Sequence, residues 1–427
     1  MTFALHLYRR AMGWFHGFVP GILKGRVARG KEDAVRWRER LGEAGRPRPE
    51  GGLVWVHGVS IGESVSALPL VERLRKSRPD VTVLVTTATT TSAEILARRL
   101  PAGAFHQFAP VDTPQAVTAF LDHWRPDLAV FIESDIWPTT LSELDERRIQ
   151  RVLLSARITA HTFRGWQRFA ATMRQLLQGY ALVMPQDGAS AERLEHMGVQ
   201  PGGTANLKTL GEPLKYDPEA LSALRALTDG RRVIVAASTH YGEDSLITKA
   251  LEACIRDGDL LVLVPRHPVK AGDIRLDIEA IGLHVAQRSK TEAITSATQV
   301  YLADTLGELG LFFMLADIVI IGGSFLMRIG GHNPLEAARL GKSVITGADT
   351  ANWDGVFDDL IRDGAAWQVF GPQELRFLVE QLRDNPEAVK VADAAAQAAS
   401  HGQAGTLDRV WAAVAPLLPQ PEAANDR

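Results

Sequence analysis

From residue 50 onward the chain alternates short apolar runs with stretches of helical period. The runs predict strands over Leu53–Val59, Val81–Thr87, Leu128–Ile132, Arg151–Ser155 and Ala181–Pro185. A second series follows over Val233–Ser238, Leu260–Val264, Gln299–Leu302, Ile318–Ile321 and Ser343–Thr346. Helical periods lie between them, among others Ser64–Arg75, Ser92–Leu100, Pro114–His123, Ala189–His196 and Leu306–Leu315. The runs are nearly continuous in Val, Ile and Leu, which suits strands buried on both faces in a helix-covered parallel sheet. Two such series predict an α/β chain of two Rossmann-like, doubly wound domains. Gly202, Gly203, Gly211, Pro213 and Pro218 place a break within 203–220. The chain then divides into an N-terminal segment 1–45, a first domain 46–210 and a second domain 211–427, with the tail after Pro416 expected to fray.

The first 22 residues do not fit this alternation. Phe3, Leu5, Leu7, Tyr8, Met12, Trp14, Phe15, Phe18, Val19 and Ile22 mix with His6, Arg9, Arg10 and His16. An Arg pair in the middle of the stretch excludes a spanning helix, and neither a clean apolar run nor a small-residue cleavage site marks a signal peptide. Lys24, Arg26, Arg29, Lys31, Arg36, Arg38 and Arg40 follow, against Glu32, Asp33 and Glu39. Apolar-aromatic followed by basic is what a helix lying in an anionic membrane interface needs. An ordinary packed helix with solvated arginines is the other reading.

Composition narrows the classes. At 427 residues, 46% hydrophobic and 23% charged, the chain has material for two globular cores. A net charge of -3 argues against a dedicated nucleic-acid binder. A single cysteine, Cys254, excludes an internal disulfide and a Cys-based zinc site.

Ligands of open parallel sheets bind beyond the carboxyl ends of the strands. Polar segments stand there five times: His57–Glu63, Glu133–Pro138, Ser238–His240, Pro265–Pro268 and Gly322–Ser324. Their recurrence predicts a small-ligand site in a cleft between two domains. Ser60-x-x-Glu63 is a capping-box pattern, so from pattern alone Glu63 reads first as a helix cap and second as a general base. Asn333, Pro334 and Glu336 read as N-cap, N1 and N3 of a helix behind Gly330-Gly331, an arrangement suited to phosphate. Glu336 either caps that helix or reaches a ribose hydroxyl. Glu133-x-Asp135 fits a metal site only loosely. No P-loop and no G-x-G-x-x-G after the first strand is present, which argues against a P-loop NTPase and a dinucleotide oxidoreductase.

Taken together, Val56–Glu63, Ile132–Pro138, Ala237–Glu243, Leu263–Pro268, Ala303–Leu309 and Gly330–Ala338 resemble the Kdo (3-deoxy-D-manno-octulosonic acid) transferases of lipopolysaccharide synthesis. The resemblance extends over nearly the whole chain, including Arg36–Gly42. It implies the GT-B fold and an inverting, metal-independent glycosyltransferase without cofactor. The implied donor is CMP-Kdo, the acceptor a lipid A precursor, and the location the cytoplasmic side of the inner membrane. It also implies roles: Glu63 as catalytic base, Glu133 as a second acid, and Lys215 in Leu214-Lys215-Tyr216-Asp217. Arg266, Gly323, Ser324, His332, Asn333 and Glu336 match the donor side, with Ser238, His240 and His267 in the same strand-end segments. Asp135 stands where the family commonly has Glu, and the loop 325–329 departs from the family's forms. Acceptor identity and the number of sugars added therefore stay open, as does a specialised paralogue. The alternatives are another GT-B enzyme, such as a UDP-sugar epimerase, and a non-catalytic binder on the same scaffold.

Overall fold

The computed structural model describes residues 2–133, 136–402 and 405–420, and within it two parallel sheets. The first comprises β1 (Gly52–His57), β2 (Val81–Thr87), β3 (Ala104–Phe108), β4 (Leu128–Ile132), β5 (Gln150–Ala156) and β6 (Leu182–Pro185). Their order is β3-β2-β1-β4-β5-β6, so the winding reverses between β1 and β4, where Val54 pairs with Leu128. Leu53, Trp55, Ala129 and Phe131 go to the core on one face, Val54, Val56, Leu128, Val130 and Ile132 to that on the other. Burial on both faces is why these strands read as unbroken apolar runs.

The second sheet comprises β7 (Val233–Thr239), β8 (Leu260–Pro265), β9 (Val285–Gln287), β10 (Val300–Leu302), β11 (Ile318–Ile321), β12 (Val344–Thr346) and β13 (Ala366–Gln368). Its order is β13-β12-β11-β7-β8-β10-β9, with the reversal between β7 and β11. Val233, Val235, Val319 and Ile321 fill one core, and Ile234, Ala236, Ile318 and Ile320 the other. Three strands, β3, β9 and β13, are not predicted by the apolar runs, and all three are sheet edges.

The chain divides into two compact units, residues 1–211 with 404–427, and residues 212–403. Where the pattern predicts a second domain running to 427, the helix Thr406–Val414 instead packs on the helix Leu68–Ser77 of the first unit. Val410, Val414 and Leu418 complete that core, and Arg73 meets both Asp408 and the Trp411 ring. The expected fraying after Pro416 is also absent as far as residue 420. Pro419 lies against Gly52, and its carbonyl accepts a hydrogen bond from Arg78 at 2.8 Å.

The N-terminal segment forms two helices, Phe3–Phe15 and Val19–Ala28, joined by the 3-10 turn His16–Phe18, and a second 3-10 turn, Trp37–Leu41. Leu5, Val19 and Leu23 are buried. Tyr8 donates to Asp112 at 3.0 Å, and Arg9 pairs with Glu143 and Glu146 on the helix Pro138–Glu146. Much of the basic stretch also turns inward. Arg26 and Arg40 pair with buried Glu32, and Arg36 forms a fork with buried Glu39, whose carboxylate accepts from the Phe108 amide. Lys24, Arg29, Lys31 and Arg38 remain exposed. Outward-facing Phe3, Leu7, Trp14, Phe18 and Ile22 recur at helical spacing, Trp14 being 89% exposed. Among the described residues no helix is long and apolar enough to cross a membrane.

Candidate active site

In the first unit the polar side chains gather where the winding reverses. Beyond β1, Ser60 caps the helix Ile61–Ser66: its hydroxyl accepts from the Glu63 amide at 3.3 Å and donates to Glu63 Oε1 at 2.9 Å. Glu63 Oε2 accepts from the amides of Val59 and Ser60. The capping box read from the pattern is thus formed. A carboxylate has about four acceptor positions, so three donors leave it room for one more.

Beyond β4, Glu133 adopts a left-handed backbone (φ 64°) and is buried. Lys208 Nζ lies 2.6 Å from its Oε1. Burial pushes the Glu133 carboxyl up, Lys208 and Arg157 hold it down, and the charge of Glu63 raises it again. The charge of Glu63 thus reaches Glu133. Ser134 and Asp135, the next residues, lie outside the described residues.

Lys215, which the resemblance groups with the catalytic residues, is exposed and belongs to the second unit. The lysine that pairs with Glu133 is Lys208, which the pattern did not single out. It sits on the 3-10 turn Leu207–Thr209, held by burial of Leu207, by the Leu207 amide donating to Ser155 Oγ at 2.7 Å, and by Asn206 Oδ1 accepting from the Lys208 amide. The signal was present: Leu207-Lys208 and Leu214-Lys215 are two Leu-Lys pairs seven residues apart.

In the second unit three imidazoles gather beyond β7, β8 and β11. His240 Nε2 and His332 Nε2 are 2.9 Å apart, with the rings parallel, and His267 stands edge-on to His240 at 5.4 Å between centroids. Burial pushes His332 down to about 4 and His240 below its ordinary value; the cationic forms of the neighbouring His267 and Arg266 act in the same direction. A nitrogen pair at hydrogen-bond distance needs one proton between them, which suits two imidazoles that stay neutral. Arg266 and His267 are exposed.

Gly322 and Gly323 are required by crowding. A Cβ on Gly322 would sit 2.7 Å from Thr239 Cα, and one on Gly323, at φ 74°, would sit 2.7 Å from the His332 ring. Ser238 marks a register shift in β7, again with a left-handed backbone (φ 59°). The Ser324 hydroxyl turns inward, donating to Ile321 O and accepting from the Gly347 amide, each at 2.8 Å. Asn333 Oδ1 accepts from the Leu335 amide at 3.0 Å, as a cap does. The helix it opens, Leu335–Ala338, is a single turn, however. The expected helix dipole for a phosphate is therefore small, and charge at this end must come from side chains. Burial raises the Glu336 carboxyl against the pull of Arg339 and Arg266. Among the described residues no three His, Cys, Asp or Glu side chains converge as metal ligands do.

Two Rossmann-like units, each with its polar cluster at the strand-end reversal, define the GT-B class of α/β proteins. A solved glycosyltransferase from Rickettsia africae has the same fold, with a TM-score of 0.60 at 12% identity over 86% of this chain and 99% of its own. The family described as 3-Deoxy-D-manno-octulosonic-acid transferase (kdotransferase) matches residues 35–217. A probable mitochondrial 3-deoxy-D-manno-octulosonic acid transferase of Arabidopsis thaliana is 31% identical over 91% of both chains. The 3-deoxy-D-manno-octulosonic acid transferase of Rickettsia bellii is 33% identical over 84% of this chain and 86% of its own. The chain belongs to the Kdo transferase family, and is a glycosyltransferase.

Proposed function

We propose that the chain transfers Kdo from CMP-Kdo to a lipid A precursor at an anionic membrane surface, with inversion and without a metal ion. The single observation that carries the reading is the pair Glu63 and Glu133 at the strand-end reversal of the first unit, with Lys208 on Glu133. Glu63 keeps an acceptor position to take the proton of an acceptor hydroxyl as its oxygen attacks the anomeric carbon. The new carbon–oxygen bond forms as the bond to the CMP phosphate breaks, and the leaving group carries away the electron pair. A single displacement of this kind inverts the anomeric centre.

Glu133 and Lys208 orient the acceptor sugar beside the base. On the donor side, Ser238, His240, Arg266, His267, Gly323, His332, Asn333 and Glu336 hold CMP-Kdo, while Ser324 shapes the turn that carries them. Arg266 meets the leaving phosphate without a metal, and the Kdo carboxylate calls for a further cation, for which Lys215 is a candidate. The test incubates the protein with a CMP-Kdo generating system and a tetraacylated lipid A precursor in EDTA. Mass spectrometry should find a product heavier by one or more Kdo units. With a known Kdo transferase active in parallel, no such product would reject the reading.

The stripe Phe3, Leu7, Trp14, Phe18 and Ile22 beside exposed Lys24, Arg29, Lys31 and Arg38 supports the membrane part. It has the composition of an interfacial helix, and a phosphorylated, acylated acceptor resides in such a surface. Because Leu5, Tyr8 and Arg9 also hold the fold, deleting residues 1–22 would damage the first unit, so point changes are the cleaner probe. The double change Trp14→Glu and Phe18→Glu is expected to lower partition onto anionic vesicles by about tenfold or more, leaving thermal stability unchanged. Unchanged sedimentation with vesicles would remove the membrane part alone.

A further inference from the structure

One buried carboxylate of the second unit has no part in the chemistry above. Glu243 opens the helix Glu243–Ala250 and is fully buried. Its Oε2 accepts from the His240 amide at 2.9 Å and from the Gly323 amide at 2.7 Å; its Oε1 accepts from the Phe325 amide at 2.8 Å. The donors come from two loops, one leaving β7 and one leaving β11. These strands are neighbours, and their parallel pairing runs from Ile318–Ile234 to Ile321–Ala237. Past the Gly322 amide, which bonds Ala237 O at 2.8 Å, the loops part and the carboxylate bridges them.

The bridge closes a ring of contacts. Glu243 holds the amide of His240 and that of Gly323. Gly323 is packed so closely on the His332 ring that a Cβ would not fit, and its carbonyl accepts from the Gly331 amide at 2.7 Å. His332 in turn meets His240, nitrogen to nitrogen, at 2.9 Å. Every member but Glu243 belongs to the donor-side set or borders it. A shift of either loop would therefore move one imidazole relative to the other.

We infer that Glu243 is a positioning residue for the sugar-nucleotide donor, clamping the loops after β7 and β11 so that His240 and His332 are presented together. This rests on the donor reading given above. Glutamine keeps the shape of the side chain but replaces one acceptor oxygen by a donor. With the NH2 turned to the Phe325 amide, N–H faces N–H and the loop after β11 loses one of its two bonds; turned the other way, the amides of His240 and Gly323 both lose their acceptor.

The experiment measures steady-state kinetics of full-length Glu243→Gln with CMP-Kdo varied at saturating acceptor, and then the reverse. The expected result is a donor KM raised about tenfold, with kcat and acceptor KM within about threefold of the parent. Thr248→Val serves as control: its hydroxyl is buried in the same helix and bonds Asp244 O at 2.7 Å, away from both loops. It should lower stability without moving the donor KM. A donor KM within twofold of the parent in Glu243→Gln would overturn the inference, as would equal shifts for donor and acceptor. Should the glutamine variant not fold, Glu243→Asp keeps the charge but draws it back by one methylene, and its donor KM should rise severalfold or the inference fails. A parent protein that transfers no Kdo would instead reject the donor reading; isothermal titration of CMP into parent and Glu243→Gln then decides the clamp by itself, weaker binding supporting it and equal binding overturning it.

Discussion

Glu63→Gln is expected to lower the rate of Kdo transfer by about a thousandfold or more while CMP binding stays within about twofold of the parent. The substitution separates the cap that the structure shows from the base proposed for the same side chain. As a cap, Glu63 accepts from the amides of Val59 and Ser60 and from the Ser60 hydroxyl. A glutamine oxygen can still accept from the amides, and the Ser60 hydroxyl can rotate to accept from the new NH2. Stability should fall by no more than about 1 kcal/mol, the usual scale of a helix cap. As a base, by contrast, an amide cannot take a proton near neutral pH. Rate measured by mass spectrometry, unfolding measured by calorimetry and CMP affinity measured by titration together read both jobs. A rate change below about threefold would leave Glu63 a cap and nothing more.

The second large effect is expected at Lys208. Replacing it by alanine leaves the Glu133 carboxylate buried without the cation that lies 2.6 Å away. Burial already raises that carboxyl, and the lysine opposes the rise, so its loss raises it further. A carboxylate needed in its charged form then ionises only at higher pH. The acid limb of the pH–rate profile should move upward by about one unit or more, and the rate at pH 7 should fall by about a hundredfold. The stability cost should be about 2 kcal/mol, less than for a fully buried pair because both partners keep some exposure. Lys215→Ala makes the contrast, changing donor KM without moving the acid limb. An acid limb unmoved in Lys208→Ala would mean that the lysine does not govern the ionisation of Glu133.

What could be read from the sequence follows from where burial is two-sided. β1, β4, β7 and β11 lie inside their sheets, both faces covered, and an apolar run is the direct imprint of that condition. The edge strand β3 reads Ala-Phe-His-Gln-Phe, with His106 bonded to Arg36 and Gln107 to Trp124, so polar partners replace apolar neighbours and the run is interrupted. β9 (Val-Ala-Gln) and β13 (Ala-Trp-Gln) are edge strands that end on a polar residue, whereas the equally short β10 and β12 lie inside the sheet. The candidate site was legible for a related reason: strand ends are where apolar residues stop, and Glu63 and Glu133 stand at two such ends beside the reversal. Lys208 escaped because it sits on an isolated turn within the Gly- and Pro-rich stretch that marks the break between units. The single turn after Asn333 escaped because cap residues announce where a helix begins, not how long it lasts. The destination of the helix Thr406–Val414 was hidden too, since an apolar stripe such as Val410 and Val414 fits either core equally well.

That last helix bears on how the protein is made. Residues 405–420 finish a core begun by residues 52–207, and the whole second unit is encoded between them. A ribosome adding about 5–20 residues per second spends roughly 10–40 s on the intervening stretch. Throughout that time the helix Leu68–Ser77 lacks the neighbour that covers it, although its own sheet is already complete. The second unit, contiguous in sequence, can close first, and the unit begun first is finished last. The nascent first unit is then the stage at which a chaperone has apolar surface to hold.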